Sequence, residues 1–307
     1  MLASSREIRR KELLCEMMGG NGTIRHDAEG TANALADFYE TLHAVSDVVP
    51  GYGSSTDTLR ECRPVTRKEV SKQLDKMKVG KTADSSCTVA EFFKFAGDEM
   101  KDLLADLFSD ILAGKGRVPQ YWKGVTIQVL FKKGERHLPS HYRPISIIPI
   151  ISKLFSRILL ARLDLKLQQN QSCDQAGFRA DFSCEDHLLT ITLLAEVMME
   201  RQQPLWVAAL DFQKAFDTIS HQAVWKALGK QQIEAVYIQV LQEMYSDQTA
   251  RISTCEKSRS FEIKRGVKQG DPISPALFNA VVEQVMRKLQ PKWRAKGYGI
   301  SLQTGQR

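Results

Sequence analysis

The sequence predicts an α+β fold, and three stretches carry that reading. Residues 103–112 place Leu103, Leu104, Leu107, Phe108, Ile111 and Leu112 at three- and four-residue spacing, the pattern of a helix with one buried face. "GVTIQVLFKKG" (124–134) instead alternates Val125, Ile127, Val129 and Phe131, the two-residue period of a strand with one buried face. "LWVAALD" (205–211) is apolar or small until it reaches Asp211, as expected of a central strand covered by helices on both faces.

The charged opening "MLASSREIRRKELL" reads as a helix, and a "GGNG" turn separates it from a second helix over "TANALADFYETLHAV" (31–45). That second helix carries Leu35, Ala36, Tyr39, Leu42 and His43 on one face. "CRPVTRKEVSKQLDKMKVGKTAD" (62–84) brings a further helix and then a basic, glycine-containing loop. Gly114 stops the helix that runs on from Met100. "YRPISIIPI" (142–150) is extended, because a proline disfavours the helical conformation in the residue before it, and a helix follows over roughly 152–167. Beyond the strand at 205–211 come helices near 220–228 and 232–245 and a hairpin across 249–265 turning at "EKS". Ser274 and Pro275 open the last helix.

With 307 residues and 43% hydrophobic content the chain can bury a sizeable core, as one large domain or two subdomains. Its 43 lysines and arginines against 36 acids leave a net charge of +7, which favours an anionic partner such as nucleic acid. Six cysteines (15, 62, 87, 173, 184 and 255) form no CxxC and no regular spacing, which argues against a disulfide framework or a cysteine zinc site and fits a reducing compartment. His137 and His141 in "ERHLPSHYRP" have no third ligand nearby and read as solvated loop residues. No apolar run is long enough to span a bilayer, and the amino terminus lacks the apolar core of a signal peptide. A soluble, intracellular protein is expected.

A carboxylate at the end of a buried strand is held rigidly with its charge toward a cleft. Mg²⁺ is bound in this way, through one or two protein carboxylates and substrate phosphates. The stretch alone leaves Asp211 two readings, a metal ligand or a cap on the helix that follows. Its company is informative. "YRPIS" (142–146), "QAGFR" (175–179), "LDFQKAFDTI" (210–219) and "GVKQGDPISPALFN" (266–279), in this order, resemble the reverse transcriptase domain of non-LTR (LINE-like) retrotransposons, from about Val70 to Phe278.

The resemblance implies the fingers and a partial palm of a right-hand polymerase, with an antiparallel palm sheet packed by helices and no thumb. Residues 1–65 would be a helical extension, 66–204 the fingers and 205–307 the partial palm. It implies RNA-directed DNA polymerase activity by two-metal nucleotidyl transfer. The partners would be an RNA template, a DNA primer and deoxynucleoside triphosphates, with no membrane, and the location nuclear for a eukaryotic element. Asp211 matches the first metal-binding aspartate, and the Phe212 carbonyl would be a further Mg²⁺ ligand. Phe216 matches the aromatic under the sugar of the incoming nucleotide that rejects its 2′-hydroxyl. Gln269, counted with Asp211 as catalytic, and Gly270 match the turn beside the incoming nucleotide and the templating base. Lys132, Lys133 and Arg143 match basic finger residues that neutralise the triphosphate, a task suited to fixed cations. Phe178 and Arg179 match a motif near the template path. Without the pattern, Lys132 and Lys133 are solvated residues after a strand, and Phe178 and Phe216 are core aromatics. Asp217 reads as a helix cap and Asp271 as a turn residue.

Two features depart from the family pattern. "ADSSC" (83–87) stands where the family usually has Gly-Pro-Asp-Gly, and no Asp-Asp pair occurs anywhere in the sequence. The family carries such a pair on a hairpin after the helix that follows "QGDP". Nucleotidyl transfer uses two metals about 3.5–4 Å apart, which one aspartate and one carbonyl cannot both hold. The expectation is therefore a truncated or degenerate copy, inactive as it stands. Two other readings are a non-catalytic nucleic-acid-binding protein derived from a reverse transcriptase, and a group II intron maturase-type enzyme.

Overall fold

A computed structural model describes residues 16–20, 22–44 and 62–299. The expected opening helix lies outside them. A short ladder of β1 (Met17–Met18) with β2 (Ile24–Arg25) leads into α1 (Ala28–His43), whose first turn is capped by Asp27 accepting from the Gly30 amide. Leu35, Ala36, Tyr39 and His43 are buried on one face of α1, and Leu42 packs beside them. α2 (Arg67–Asp75) begins at a capping box, in which Thr66 and Glu69 satisfy each other's backbone N–H groups. A short α3 (Ala90–Lys94) precedes α4 (Asp98–Leu112). Of the apolar stripe in α4, Leu104, Phe108, Ile111 and Leu112 are buried while Leu103 and Leu107 are exposed.

α5 (Gln120–Lys123) runs into β3 (Gly124–Phe131), which turns back to β4 (Tyr142–Ile147) in antiparallel register from Phe131↔Tyr142 to Thr126↔Ile147. α6 (Ile150–Gln169) buries Leu154, Phe155, Ile158, Leu159, Leu163 and Leu167 and is the spine of a helical core. Phe155 stacks on Phe108 at 5.0 Å and lies 5.8 Å from Trp122. After α7 (Cys184–Glu200) and the single turn α8 (Ala215–Thr218), α9 (His221–Lys230) and α10 (Ala235–Tyr245) join the same core. β5 (Gln248–Ile252), β6 (Phe261–Ile263) and α11 (Ser274–Ala295) complete the described elements. No helix among the described residues is long and apolar enough to cross a membrane.

The sheet has the order β4-β3-β5-β6. It is mixed, and the expectation of an antiparallel sheet is corrected here. The two hairpins make β3/β4 and β5/β6 antiparallel, but β5 returns beside β3 in parallel register after a helical excursion through α6 to α10. A long crossover is what permits parallel pairing. α1 covers one face, packing Leu35 and Tyr39 with Val125, Ile127, Ala250, Ile252 and Phe261 in a second hydrophobic cluster.

The larger correction concerns 205–211. This segment forms no strand, and Trp206 is 91% and Leu210 83% exposed. An extended apolar segment becomes a strand only where another segment takes up its N–H and C=O groups, and no described strand runs beside it. α7 shares the situation. The spacing did not predict this helix; it is capped by Ser183 yet buries only Met198, leaving Leu188, Leu189, Ile191, Leu193 and Met199 exposed. A helix apolar on several sides offers no amphipathic period to read.

If 205–210 is unpaired, Trp206 emits as a solvated indole and Trp206→Phe changes the unfolding free energy by less than about 0.5 kcal/mol. The emission lost in that variant should be red-shifted and readily quenched by acrylamide. A blue-shifted, quencher-resistant contribution would mean that the segment is paired and buried.

Candidate active site

The turn that follows Asp211 is set by one unusual backbone conformation. Lys214 is left-handed (φ 49°, ψ 41°), and its carbonyl accepts the amides of Asp217 at 2.9 Å and Thr218 at 3.1 Å to start α8. A non-glycine residue held there costs about 1–3 kcal/mol unless its surroundings fix it. They do: the Lys214 ammonium donates to the Tyr142 carbonyl at 2.6 Å, and the Tyr39 hydroxyl donates to that same oxygen at 3.2 Å. Three segments, α1, β4 and the Asp211 turn, thus meet at one carbonyl next to Arg143.

Asp217 is 2% exposed, and the Gln269 side-chain amide donates to its two oxygens at 2.8 and 3.0 Å. Backbone bonds run in parallel with this contact, Val267 N–H to the Phe216 carbonyl and Gly266 N–H to the Ile219 carbonyl, both at 2.7 Å. Gly266 has φ +99°, and a Cβ there would meet the Asp217 carbonyl oxygen at 2.7 Å. Gly270 has φ +115°, and a Cβ there would stand 2.9 Å from the Ser146 carbonyl oxygen. Only glycine fits either position. The Ser146 amide donates to the Gln269 carbonyl at 2.7 Å, which joins the Gln-Gly turn to β4.

Burial raises the Asp217 carboxyl from 3.8 to about 6, against the Gln269 hydrogen bond and the Lys214 charge, which lower it. His43 donates to the Arg265 carbonyl at 3.0 Å, and burial pushes its imidazole down to about 4. Asp271, expected as an ordinary turn residue, is buried. It accepts the Ser156 hydroxyl at 3.2 Å and the Ile273 amide at 3.3 Å, with buried Lys268 as its neighbour in charge. Burial raises the Asp271 carboxyl and lowers the Lys268 ammonium, each opposed by the other's charge. The turn is therefore fixed at both ends by a buried carboxylate, one on α8 and one against α6.

Phe178, Phe212 and Phe216 come together in an aromatic ladder. Phe178 is left-handed (φ 60°), exposed, and 5.9 Å from Phe216 between ring centroids. Phe278 of α11 lies edge-on to Phe216 at 5.1 Å and to Phe212 at 6.4 Å. Sequence reasoning missed Phe278, Lys214 and the part played by Asp217. The last was signalled only by its place at the end of "KAFD". Lys132, Lys133 and Arg143 are exposed. The Lys214 ammonium is lowered first by burial, then raised by Asp217 and lowered by Lys132 and Arg143, so these cations share one neighbourhood. Arg179 is engaged within its own segment, donating to Gln168 at 2.9 Å and to the carbonyls of Ser172 at 2.6 Å and Gln175 at 3.1 Å, with its guanidinium 3.8 Å over Phe182.

Asp211 is exposed and makes no hydrogen bond or ion pair among the described residues. Asp217 is already occupied by Gln269, and no group of three or more His, Cys, Asp or Glu able to hold a metal ion occurs among the described residues. Asp211 and the Phe212 carbonyl would supply at most part of one coordination shell. These residues alone do not fit a two-ion Mg²⁺ site.

A small mixed sheet beside a helical core is a fold consistent with a reverse transcriptase. The family model described as "Reverse transcriptase (RNA-dependent DNA polymerase)" matches residues 131–304, and the chain belongs to that family. It is 31% identical over 231 residues to the "Retrovirus-related Pol polyprotein from type-1 retrotransposable element R2" of Popillia japonica, an overlap of 74% of this chain and 31% of the relative. It is 26% identical over 219 residues to the "RNA-directed DNA polymerase from mobile element jockey" of Drosophila melanogaster, covering 70% of this chain and 24% of the relative. To the "Transposon TX1 uncharacterized 149 kDa protein" of Xenopus laevis it is 24% identical over 298 residues, 92% of this chain and 22% of the relative. The chain thus spans less than a third of the length of these curated relatives. They bear out the LINE-like resemblance of its motifs.

Because Asp217 holds its proton more tightly folded than unfolded, folding takes up a proton between about pH 4 and 6, and stability owed to this group falls as pH rises through that window. Asp217→Asn removes the loss, so its stability relative to wild type should increase from pH 4 to pH 7 by up to about 3 kcal/mol. His43 acts with the opposite sign in both proteins and cancels in the difference. Urea denaturation at the two pH values measures this, and a difference independent of pH would contradict the buried ionisation.

Proposed function

We propose that the chain is the fingers and part of the palm of an RNA-directed DNA polymerase acting on an RNA template, a DNA primer and deoxynucleoside triphosphates. The observation that carries this reading is the bond from Gln269 to buried Asp217. It ties the turn bearing Asp211 and Phe216 to the Gln-Gly turn, and both to β4 beside Arg143. In this reading Arg143, Lys132 and Lys133 hold the triphosphate, for which fixed cations in a preorganised site suit the spread negative charge. Phe216 lies under the sugar, and Gln269 with Gly270 backs the base pair being formed. Phe178, exposed on the ladder, stacks on the template.

Mg²⁺ enters this reading as the cofactor. Asp211 and the Phe212 carbonyl are the described residues that would face it, and an Asp-Asp hairpin from outside them supplies the remaining ligands. The exposed apolar surface of α7 and 205–212 is where that hairpin docks, because such a surface otherwise faces water.

A chimera tests the assignment. The chain, joined after Gln303 to the Asp-Asp hairpin and thumb of a related element, should extend a DNA primer on RNA with Mg²⁺, while the chain by itself extends nothing. In that chimera Asp211→Asn should lower extension at least about a hundredfold, the loss of several kcal/mol of charge stabilisation, and leave hybrid binding intact. Phe216→Val should keep deoxynucleotide incorporation and admit ribonucleotides. Undiminished extension by the Asp211→Asn chimera would refute the role of Asp211, and a folded, hybrid-binding chimera that extends nothing would favour a non-catalytic binding protein.

A further inference from the structure

Helix α11 changes character along its length. Its first half is seated in the molecule through Ser274, Leu277, Asn279, Ala280 and Glu283. From residue 284 onward the sequence contains no acid, and residues 287–296 bring Arg287, Lys288, Lys292, Arg294 and Lys296 together. This helix end is therefore a basic stretch free of acids. Arg287 is engaged, by Glu283 at 2.7 Å and by the Asn170 carbonyl at 2.5 Å. The other four are exposed and meet no carboxylate among the described residues.

Lys288, Lys292 and Lys296 recur every four residues and so form one stripe, where like charges destabilise a helix by about 0.2–0.5 kcal/mol per pair. The helix dipole favours cations in the last turn and offsets that cost there. It does not account for Lys288, or for the exposure of Trp293 and Tyr298 among these charges, with the Lys296 ammonium 6.0 Å over the Tyr298 ring. Cations interleaved with exposed aromatic rings suit a nucleic acid, which offers phosphates to the one and bases to the other. The spacing suits it too. In a regular helix successive lysines of the stripe stand about 6 Å apart along the axis, with Pro291 between Lys288 and Lys292 and Lys296 at the C-cap. A duplex strand presents a phosphate about every 3.4 Å of its own axis, so each lysine can meet a different one.

We propose that residues 287–298 are a second nucleic-acid contact, gripping the phosphate backbone of a duplex. It begins about 14 Å along the α11 axis beyond Phe278, and so outside the candidate active site. The proposal rests on the polymerase reading only in that a nucleic acid is the partner of both.

The test measures the affinity of the chain for a B-form DNA duplex by fluorescence anisotropy across a range of salt concentrations. It compares wild type, the triple variant Lys288→Gln/Lys292→Gln/Lys296→Gln, and Arg143→Gln in the cleft. In the triple variant the slope of log K against log salt should become shallower by about 2.7, or about 0.9 for each of three phosphates released, with at least a tenfold loss of affinity at low salt. Its melting temperature should hold or rise, because the like-charge stripe is gone, so a fold defect is not the cause. An unchanged slope while Arg143→Gln weakens binding would overturn this proposal and leave the cleft reading standing. The converse, a weakened triple variant with Arg143→Gln unaffected, would support the proposal and count against the cleft. Failure of the wild type to bind duplex would overturn both. Loss of binding to phosphatidylserine vesicles, with duplex binding unchanged, would assign the surface to a membrane and overturn the proposal as well.

Discussion

Asp217 sits where water does not reach, and the side-chain amide of Gln269 makes that position tolerable for a carboxylate. A buried carboxylate without donors costs several kcal/mol, so the amide and its backbone must stay where they are for Asp217 to stay where it is. The geometry on either side follows from this requirement. Gly266 and Gly270 are needed because the turn is pressed against the Asp217 and Ser146 carbonyls, and Lys214 adopts a left-handed conformation that starts α8 under the clasp. The Tyr142 carbonyl, reached by both Lys214 and Tyr39, extends the same constraint to β4 and α1. The Asp211 turn and the Gln-Gly turn are thereby placed relative to each other by groups outside the exposed side chains of either.

Buried charge recurs at the other end of the turn. Asp271 and Lys268 are both inside, with Ser156 of α6 donating to the carboxylate. Removing one partner of such a pair is far more damaging than never having built it, so the pair acts as a lock on the placement of the turn against the helical core. The external charges are organised differently. Lys132, Lys133 and Arg143 are exposed on the β3–β4 hairpin, and the outer half of α11 carries a further group of exposed cations without acids among them.

Local periodicity made α4 legible, since Leu104, Phe108 and Ile111 face one core, and the alternation of Val125 and Ile127 made β3 legible in the same way. Neither kind of period exists in α7, where apolar residues point to several sides. The run at 205–211 announces that something must cover it but not what, and a two-sided apolar pattern therefore reads as a strand in its sheet where the segment in fact pairs with none among the described residues. The parallel pairing of β3 with β5 was hidden for a related reason, because register between segments more than a hundred residues apart leaves no mark on either. The site was legible where motifs carried it. The Phe178–Phe216 contact and the bond from Gln269 to Asp217, next in sequence to Phe216, bring three residues of separate motifs near one another, whereas Asp217 and Asp271 look like a cap and a turn residue because their partners lie far away along the chain.

The central claim is that β4, the Asp211 turn and the Gln-Gly turn form one mechanical unit joined at Asp217. Residue-resolved hydrogen exchange in wild type and Asp217→Ala tests it most directly. The amides of Ser146, Gly266 and Val267, bonded to Gln269, Ile219 and Phe216 respectively, should lose protection together and by a similar factor in the variant, while the Val70 amide, bonded to Thr66 in α2, keeps its own. A variant in which Gly266 and Val267 open but Ser146 stays as protected as in wild type would contradict the shared joint.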